Sequence, residues 1–282
     1  HAHGACLIMD NTWATPLFFP PHERGVDIAI EAGTKYLGGH SDLLLGLTTA
    51  NEKYWKRLRD TFDAFGICAG SEDVFLALRG LRTMELRLKE AEKQALAMAH
   101  WFQTRPEVAQ VLHPALPDCP GHEIWKRDFL GSSGLFSIVL NPVSEKAVAA
   151  MLDGLELFGM GYSWGGFESL VIPFDAKSYR SVVNWKPVGP TLRFQIGFED
   201  VRDLQDDLAR GFERLRAAGE VRFFHNITSA RFVKLTHLSL APRVPADSGR
   251  AHRFRSRRGG CGYIARWLGA AVDSPTDRVC PL

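Results

Sequence analysis

A short apolar run, Cys6-Leu7-Ile8-Met9, ends on Asp10, and from there to about residue 220 short strand-like runs alternate with longer helical ones. That alternation constrains the fold more than any other feature, because each apolar strand must bury its faces against neighbouring strands and helices. Lys35-Tyr36-Leu37 reads as strand-like, and Leu43 to Thr49 is a third apolar run bounded by polar residues. The first part of the chain is therefore expected to hold an α/β sheet core. From Ser71 to Arg105, apolar Val74, Leu78, Leu81, Leu88 and Leu96 recur among Arg, Lys and Glu. With Ser71 as N-cap, this pattern predicts one long helix of the kind that bridges two domains. Beyond Pro106, residues 135–140, 168–172 and 192–196 read as strands and 145–155 and 201–217 as helices, a second and smaller α+β unit. The expected domains are 1–105 and 106–220, followed by a tail over 221–282 with no packed element.

That tail carries 11 Lys and Arg against 3 Asp and Glu, a net +8, which leaves 23 against 29, a net −6, for residues 1–220. A basic extension of this kind can bind nucleic acid. Its clustered turn residues, Pro242, Pro245, Ser248, Gly249, Gly259 and Gly260, and its lack of sustained period instead suggest a disordered extension or a stretch translated out of frame. Nucleic-acid binding is not expected. No apolar run reaches the roughly 18 to 20 residues of a membrane span, and residues 1–30 lack the regions of a signal peptide. A cytoplasmic protein without a membrane partner is expected. Five scattered cysteines, Cys6, Cys68, Cys119, Cys261 and Cys280, never spaced as CxxC, argue against a disulfide framework and a zinc site.

Two residues stand out chemically. Asp10 closes an apolar strand at the end where open α/β sheets place their ligands, although a strand-end Asp also serves as a cap or turn former. Lys35 lies in Gly33-Thr34-Lys35-Tyr36-Leu37-Gly38-Gly39-His40-Ser41, an apolar segment flanked by glycines. Burial lowers the proton affinity of an amine, the condition a Schiff-base lysine requires; a lysine at a surface edge is the alternative. Further on, Gly161-Tyr162-Ser163-Trp164-Gly165-Gly166-Phe167-Glu168 is a glycine-rich turn in which Trp164 could equally be a core aromatic. Arg193, in Thr191-Leu192-Arg193-Phe194-Gln195-Ile196-Gly197, has a planar fork suited to a carboxylate or a solvent-facing place on an alternating strand.

Taken together and in this order, the four segments resemble the Cys/Met-metabolism enzymes that depend on pyridoxal 5'-phosphate (PLP), over about residues 1–220. The resemblance implies an α/β fold like that of the aspartate aminotransferases, with residues 1–105 as part of the large cofactor-binding domain and 106–220 as the smaller C-terminal α+β domain. It implies that Lys35 carries PLP, that Asp10 pairs with the pyridine nitrogen, and that Thr34 offers a hydroxyl to the phosphate. It departs from the family at Ala32, where many relatives have serine. Tyr-Ser-Trp-Gly-Gly is similar to the bacterial cystathionine β-lyase branch, whereas the γ-lyases and γ-synthases more often have Ser-Leu-Gly-Gly. In that branch Ser163 would position Lys35 and the substrate carboxylate, Trp164 would pack on the carboxylate-binding arginine, and Arg193 would be that arginine.

The implied reaction is β-elimination of L-cystathionine to homocysteine, pyruvate and ammonia, in methionine biosynthesis. Arg193 would hold the α-carboxylate, and the Lys35 amine would take the α-proton and return it to the leaving sulfur. The expected partners are a small amino-acid thioether and further copies of the chain, since the family forms homotetramers. The resemblance starts just before the Asp10 strand, so the family's N-terminal portion is expected to be missing: its subunit arm, its phosphate-binding glycine loop and its ring-stacking aromatic. γ-Elimination or γ-replacement on the same scaffold, and an inactive fragment of such an enzyme, are the competing readings.

Overall fold

The computed structural model describes residues 1–176, 180, 185–219 and the backbone of 279–281, which form one compact unit. Two four-stranded sheets organise it. The first contains β1 (Ile8–Asp10), β2 (Ile28–Ala32), β3 (Gly46–Ala50) and a late strand, β8 (Val279–Pro281), in the order β1-β2-β3-β8. β1 runs parallel to β2, while β2–β3 and β3–β8 are antiparallel. Between β1 and β2 the chain makes a short helix, α1 (Thr15–Phe18), and a 3-10 turn (His22–Arg24) that ends on Gly25 at φ +83°.

The late strand, Val279–Pro281, pairs with the outer edge of β3, whose backbone N–H and C=O groups need partners. The rest of 221–278 lies outside the described residues.

After β3, Asn51 caps α2 (Glu52–Phe65) by accepting the Tyr54 N–H at 3.3 Å, and Gly66 closes it at φ +62°. The single long helix expected over 71–105 is instead two, α3 (Ser71–Leu81) and α4 (Met84–Gln103), and Gly70 rather than Ser71 is the cap of the first. The break has a local cause. The Gly80 carbonyl accepts from the Thr83 N–H at 3.0 Å and from Arg87 Nη2 at 2.7 Å, so the regular ladder stops there.

The second sheet is fully antiparallel, with β4 (Val108–Leu112), β5 (Leu135–Leu140), β6 (Leu170–Pro173) and β7 (Thr191–Gln195) in the order β4-β5-β7-β6. Its connections carry α5 (His122–Asp128), α6 (Glu145–Leu152, capped by Ser144) and α7 (Val201–Gly219). The main core lies between this sheet and helices α4, α6 and α7. Phe102 of α4 stands at its centre, with ring centroids 4.9 Å from Phe194, 6.0 Å from Phe136 and 6.3 Å from Phe212. Among the described residues no helix is long and apolar enough to cross a membrane.

Candidate active site

The expected strand over Lys35–Leu37 is a turn. β2 ends at Ala32, and the chain then folds on itself through the Lys35 N–H to Ala32 carbonyl bond at 2.9 Å, Gly38 N–H to Gly33 at 2.8 Å and Gly39 N–H to Lys35 at 2.7 Å. Its hydrogen bonds are local instead of cross-strand, and Gly39 at φ +71° supplies the left-handed residue. Arg87 clamps this turn from α4: Nη1 donates to the Tyr36 carbonyl at 2.7 Å and Nη2 to that of Leu37 at 3.0 Å. A side chain at Gly39 would push the Arg87 guanidinium off these carbonyls, and the backbone conformation already favours glycine there.

Held in this way, the Lys35 amine is half-buried and donates to Ser163 Oγ at 2.9 Å. Its Nζ also lies 5.2 Å from the centre of the Trp164 ring. Burial, and then the positive charge of Arg193, lower its proton affinity below that of an ordinary lysine. No carboxylate is paired with it among the described residues, so nothing offsets that effect. Gly165, at φ +83°, lets the glycine segment lie directly on the Lys35 backbone, 3.0 Å from the Lys35 carbonyl carbon for a would-be Cβ.

Tyr36 is fully buried on the other side of the turn. Its hydroxyl donates to Gln195 Oε1 at 3.3 Å and accepts the Gly134 N–H at 3.0 Å, so it ties the Lys35 turn to the strands of the second sheet. Its ring lies 5.6 Å from that of Trp164, and burial pushes its phenol proton affinity up.

Asp10 stands exposed at the end of β1, with Oδ1 accepting from the Thr12 N–H at 2.9 Å and the Thr12 hydroxyl at 2.6 Å. The same hydroxyl accepts the Ala32 N–H at 2.9 Å. Since the Ala32 carbonyl receives the Lys35 N–H, a continuous chain of bonds runs from the Asp10 carboxylate through Thr12 and Ala32 to the Lys35 backbone. Asp10 Oδ2 has no partner among the described residues.

Arg193 sits at the middle of β7, opposite Ser137 of β5 and Ile172 of β6. Its Nη2 donates to the Tyr162 carbonyl at 2.7 Å, and burial lowers its proton affinity. The cation over the Trp164 ring is Lys35, whereas Arg193 meets the glycine segment through the Tyr162 backbone.

Thr34 has a different engagement: its hydroxyl donates to the Leu45 carbonyl at 3.3 Å and accepts the Leu45 N–H at 3.0 Å, closing the loop before β3. His22 bonds the Val26 carbonyl at 2.9 Å, and His40 that of Gly38 at 2.7 Å.

Sequence reasoning passed over Arg87, Tyr36 and Glu31. Glu31 could have been noticed as the lone charge in the strand Ile28-Ala29-Ile30-Glu31-Ala32. It is 9% exposed, and burial together with the neighbouring Asp10 charge pushes its carboxyl up to about 8. Arg87 and Tyr36 gave no comparable signal, because their partners are backbone groups and a distant glutamine.

A half-buried amine with lowered proton affinity, a strand-end carboxylate linked to its turn through Thr12 and Ala32, and an arginine whose charge acts on the amine are groups that a carbonyl cofactor pairing with a carboxylate would need. The residues present fit PLP in this respect: an amine able to lose its proton, and Asp10 Oδ2 open to a ring nitrogen. At the phosphate they fit less well, since the Thr34 hydroxyl already makes two bonds.

Residues 1–213 match the model of the family described as Cys/Met metabolism PLP-dependent enzyme, and the chain belongs to that family. A relative from Rhizobium johnstonii, provisionally named a cystathionine beta-lyase, is 52% identical over 216 residues, covering 75% of this chain and 54% of the relative. The cystathionine beta-lyase of Salmonella typhimurium is 45% identical over 218 residues, covering 76% of this chain and 55% of its own length. Among solved structures, cystathionine gamma synthase from Xanthomonas oryzae pv. oryzae in complex with cystathionine superposes with a TM-score of 0.68 at 33% identity, over 76% of this chain and 57% of that one. The chain spans about half the length of the curated relatives it matches.

Proposed function

We propose that this sequence serves carbon–sulfur bond cleavage, with β-elimination of L-cystathionine to homocysteine, pyruvate and ammonia as its reaction. The observation that carries the reading is the 2.9 Å bond from the Lys35 amine to Ser163 in the Tyr162-Ser163-Trp164-Gly165-Gly166 segment. It joins the cofactor lysine to the segment whose spelling resembles the β-lyase branch. The relatives named for this activity support it.

The geometry supports the following roles. Arg193 keeps Nε and Nη1 for the substrate α-carboxylate while Nη2 stays anchored on Tyr162. Lys35, its proton affinity lowered by burial and by Arg193, is a competent base for the α-proton and can return that proton to the departing sulfur. Ser163 Oγ fixes the amine's position while the proton moves. Asp10, braced by Thr12, would hold a proton at the cofactor's ring nitrogen, and Thr34 would contribute to holding its phosphate by turning its hydroxyl away from the Leu45 carbonyl. When bound, PLP supplies an electron sink for the negative charge that develops at Cα.

The division after residue 105 belongs to the same proposal and is supported by the two separate sheets. The methionine-biosynthetic, cytoplasmic and homo-oligomeric setting is supported by the family resemblance.

Product analysis with L-cystathionine and PLP tests the reaction. Homocysteine with pyruvate is expected. Cysteine with 2-oxobutyrate would replace this reading by γ-elimination, which the γ-synthase structural likeness favours.

A further inference from the structure

Two oxygen atoms in the layer of β1 and β2 have no hydrogen-bond partner and no access to solvent: Glu31 Oε1 and Asn11 Oδ1. Both belong to side chains that are about nine-tenths buried or more, with Glu31 9% and Asn11 2% exposed. An amide oxygen and a carboxylate oxygen are both acceptors, and two buried acceptors with no donor are costly. The parallel register pairs Asp10 with Ile30, and the Asn11 N–H continues it by donating to the Ile30 carbonyl at 2.8 Å. One step further along the ladder, that bond makes Asn11 and Glu31 register neighbours across the two chains of β1 and β2. Asn11 Nδ2 donates to the Phe19 carbonyl at 2.9 Å, which fixes the amide so that Oδ1 is the atom left without a partner. A proton on Glu31 does, because it turns one of the two acceptors into a donor.

We propose that Glu31 is a neutral carboxylic acid in the folded protein that donates its proton to Asn11 Oδ1, and that it is a positioning residue for the Asp10-Asn11-Thr12 turn. Asp10 on β1 is the charged group that acts on Glu31 among the described residues, and Leu47, its register partner on β3, is apolar. An ionised Glu31 would place a second negative charge beside Asp10 with no cation to balance it. Keeping it neutral leaves Asp10 as the sole anion of the turn and pins Asn11 between the strand and Phe19. The neutral state of Glu31 is independent of the proposed lyase reaction; its consequence for cofactor binding rests on that reading.

The sign of the pH effect follows. A carboxyl that holds its proton up to about 8 in the folded chain, but only to the ordinary 4.5 in the unfolded one, lowers stability progressively as pH rises through that interval.

The test is carbon-13 NMR of the cofactor-free chain labelled at glutamate carboxyls, with the Glu31 signal assigned by its loss in Glu31→Gln. The expected result is a carboxyl that titrates well above the other glutamates, together with a thermal midpoint for the parent that falls relative to Glu31→Gln between pH 4.5 and about 8. PLP affinity should survive in Glu31→Gln, whose amide can donate to Asn11, and drop about tenfold in Glu31→Leu, which cannot. A Glu31 signal titrating in the ordinary glutamate range overturns the proposal even if the leucine variant fails to fold. Equal PLP affinities in Gln and Leu variants with a raised titration would keep the neutral acid and remove its positioning role. Loss of PLP binding by all forms, parent included, would count against the cofactor reading and leave the titration to decide on Glu31.

Discussion

The Lys35 amine donates to Ser163 Oγ at 2.9 Å, across 128 positions of sequence, so the turn after β2 and the glycine segment before β6 meet at one nitrogen. Replacing Ser163 by alanine removes the acceptor and leaves the amine held by the Trp164 face alone. The bond is open to solvent, so its loss costs little stability and acts chiefly on the position of the amine, where each ~1.4 kcal/mol of barrier is tenfold in rate. Ser163→Ala is therefore expected to lower kcat by about tenfold or more while thermal stability hardly changes, as read by steady-state kinetics with L-cystathionine.

Arg193→Lys keeps the charge and removes the fork. A single ammonium cannot reproduce two parallel bonds to a carboxylate or the bond to the Tyr162 carbonyl in the same geometry. kcat/KM should fall by about 10- to 100-fold with the greater part in KM, and dicarboxylate inhibitors should weaken in parallel. A variant with unchanged KM would remove Arg193 from substrate binding.

Tyr36→Phe tests the tie between the Lys35 turn and the second sheet. The substitution leaves the Gly134 N–H and Gln195 Oε1 without the hydroxyl that joins them. Stability should fall by about 1 to 3 kcal/mol, or about 2 to 4 °C of thermal midpoint for each kcal/mol. PLP should also dissociate faster, since the turn that carries Lys35 loses an anchor.

Lys35 gives the pH dependence a definite sign. Burial first and Arg193 second lower its proton affinity in the folded chain below the ordinary 10.5, so at low pH its charge opposes folding. That cost shrinks as pH rises through the lowered folded value and disappears above 10.5. In the cofactor-free protein, Lys35→Met should be more stable than the parent at low pH, with the gap closing toward alkaline pH. Parallel melting curves across the range would contradict a lowered Lys35.

Much of this site was legible from residue order. Asp10 after an apolar strand, Lys35 among glycines, Ser163 and Trp164 in a glycine turn, and Arg193 on a strand each allowed a structural reading alone, and only their order along the chain, through its resemblance to one family, pointed to chemistry. What was not legible depended on backbone partners. Apolar Tyr36-Leu37 made the Lys35 segment resemble a strand, but Gly33, Gly38 and Gly39 let its hydrogen bonds close locally, and Arg87 consumes two of its carbonyls from a helix elsewhere. The long helical pattern from Ser71 hid a break for the same reason, since the Gly80 carbonyl is diverted to Thr83 and Arg87. Periodicity reports which side chains are apolar; it is silent about a carbonyl captured by a distant guanidinium.

The role of Lys35 as the cofactor lysine is tested most directly by adding PLP to the purified chain, reducing with borohydride, and mapping the labelled peptide by mass spectrometry beside Lys35→Ala. A visible absorption band in the parent and a reduced pyridoxyl group on Lys35, both absent from Lys35→Ala, are expected. A pyridoxyl group on another lysine, or equal labelling of parent and variant, would contradict it.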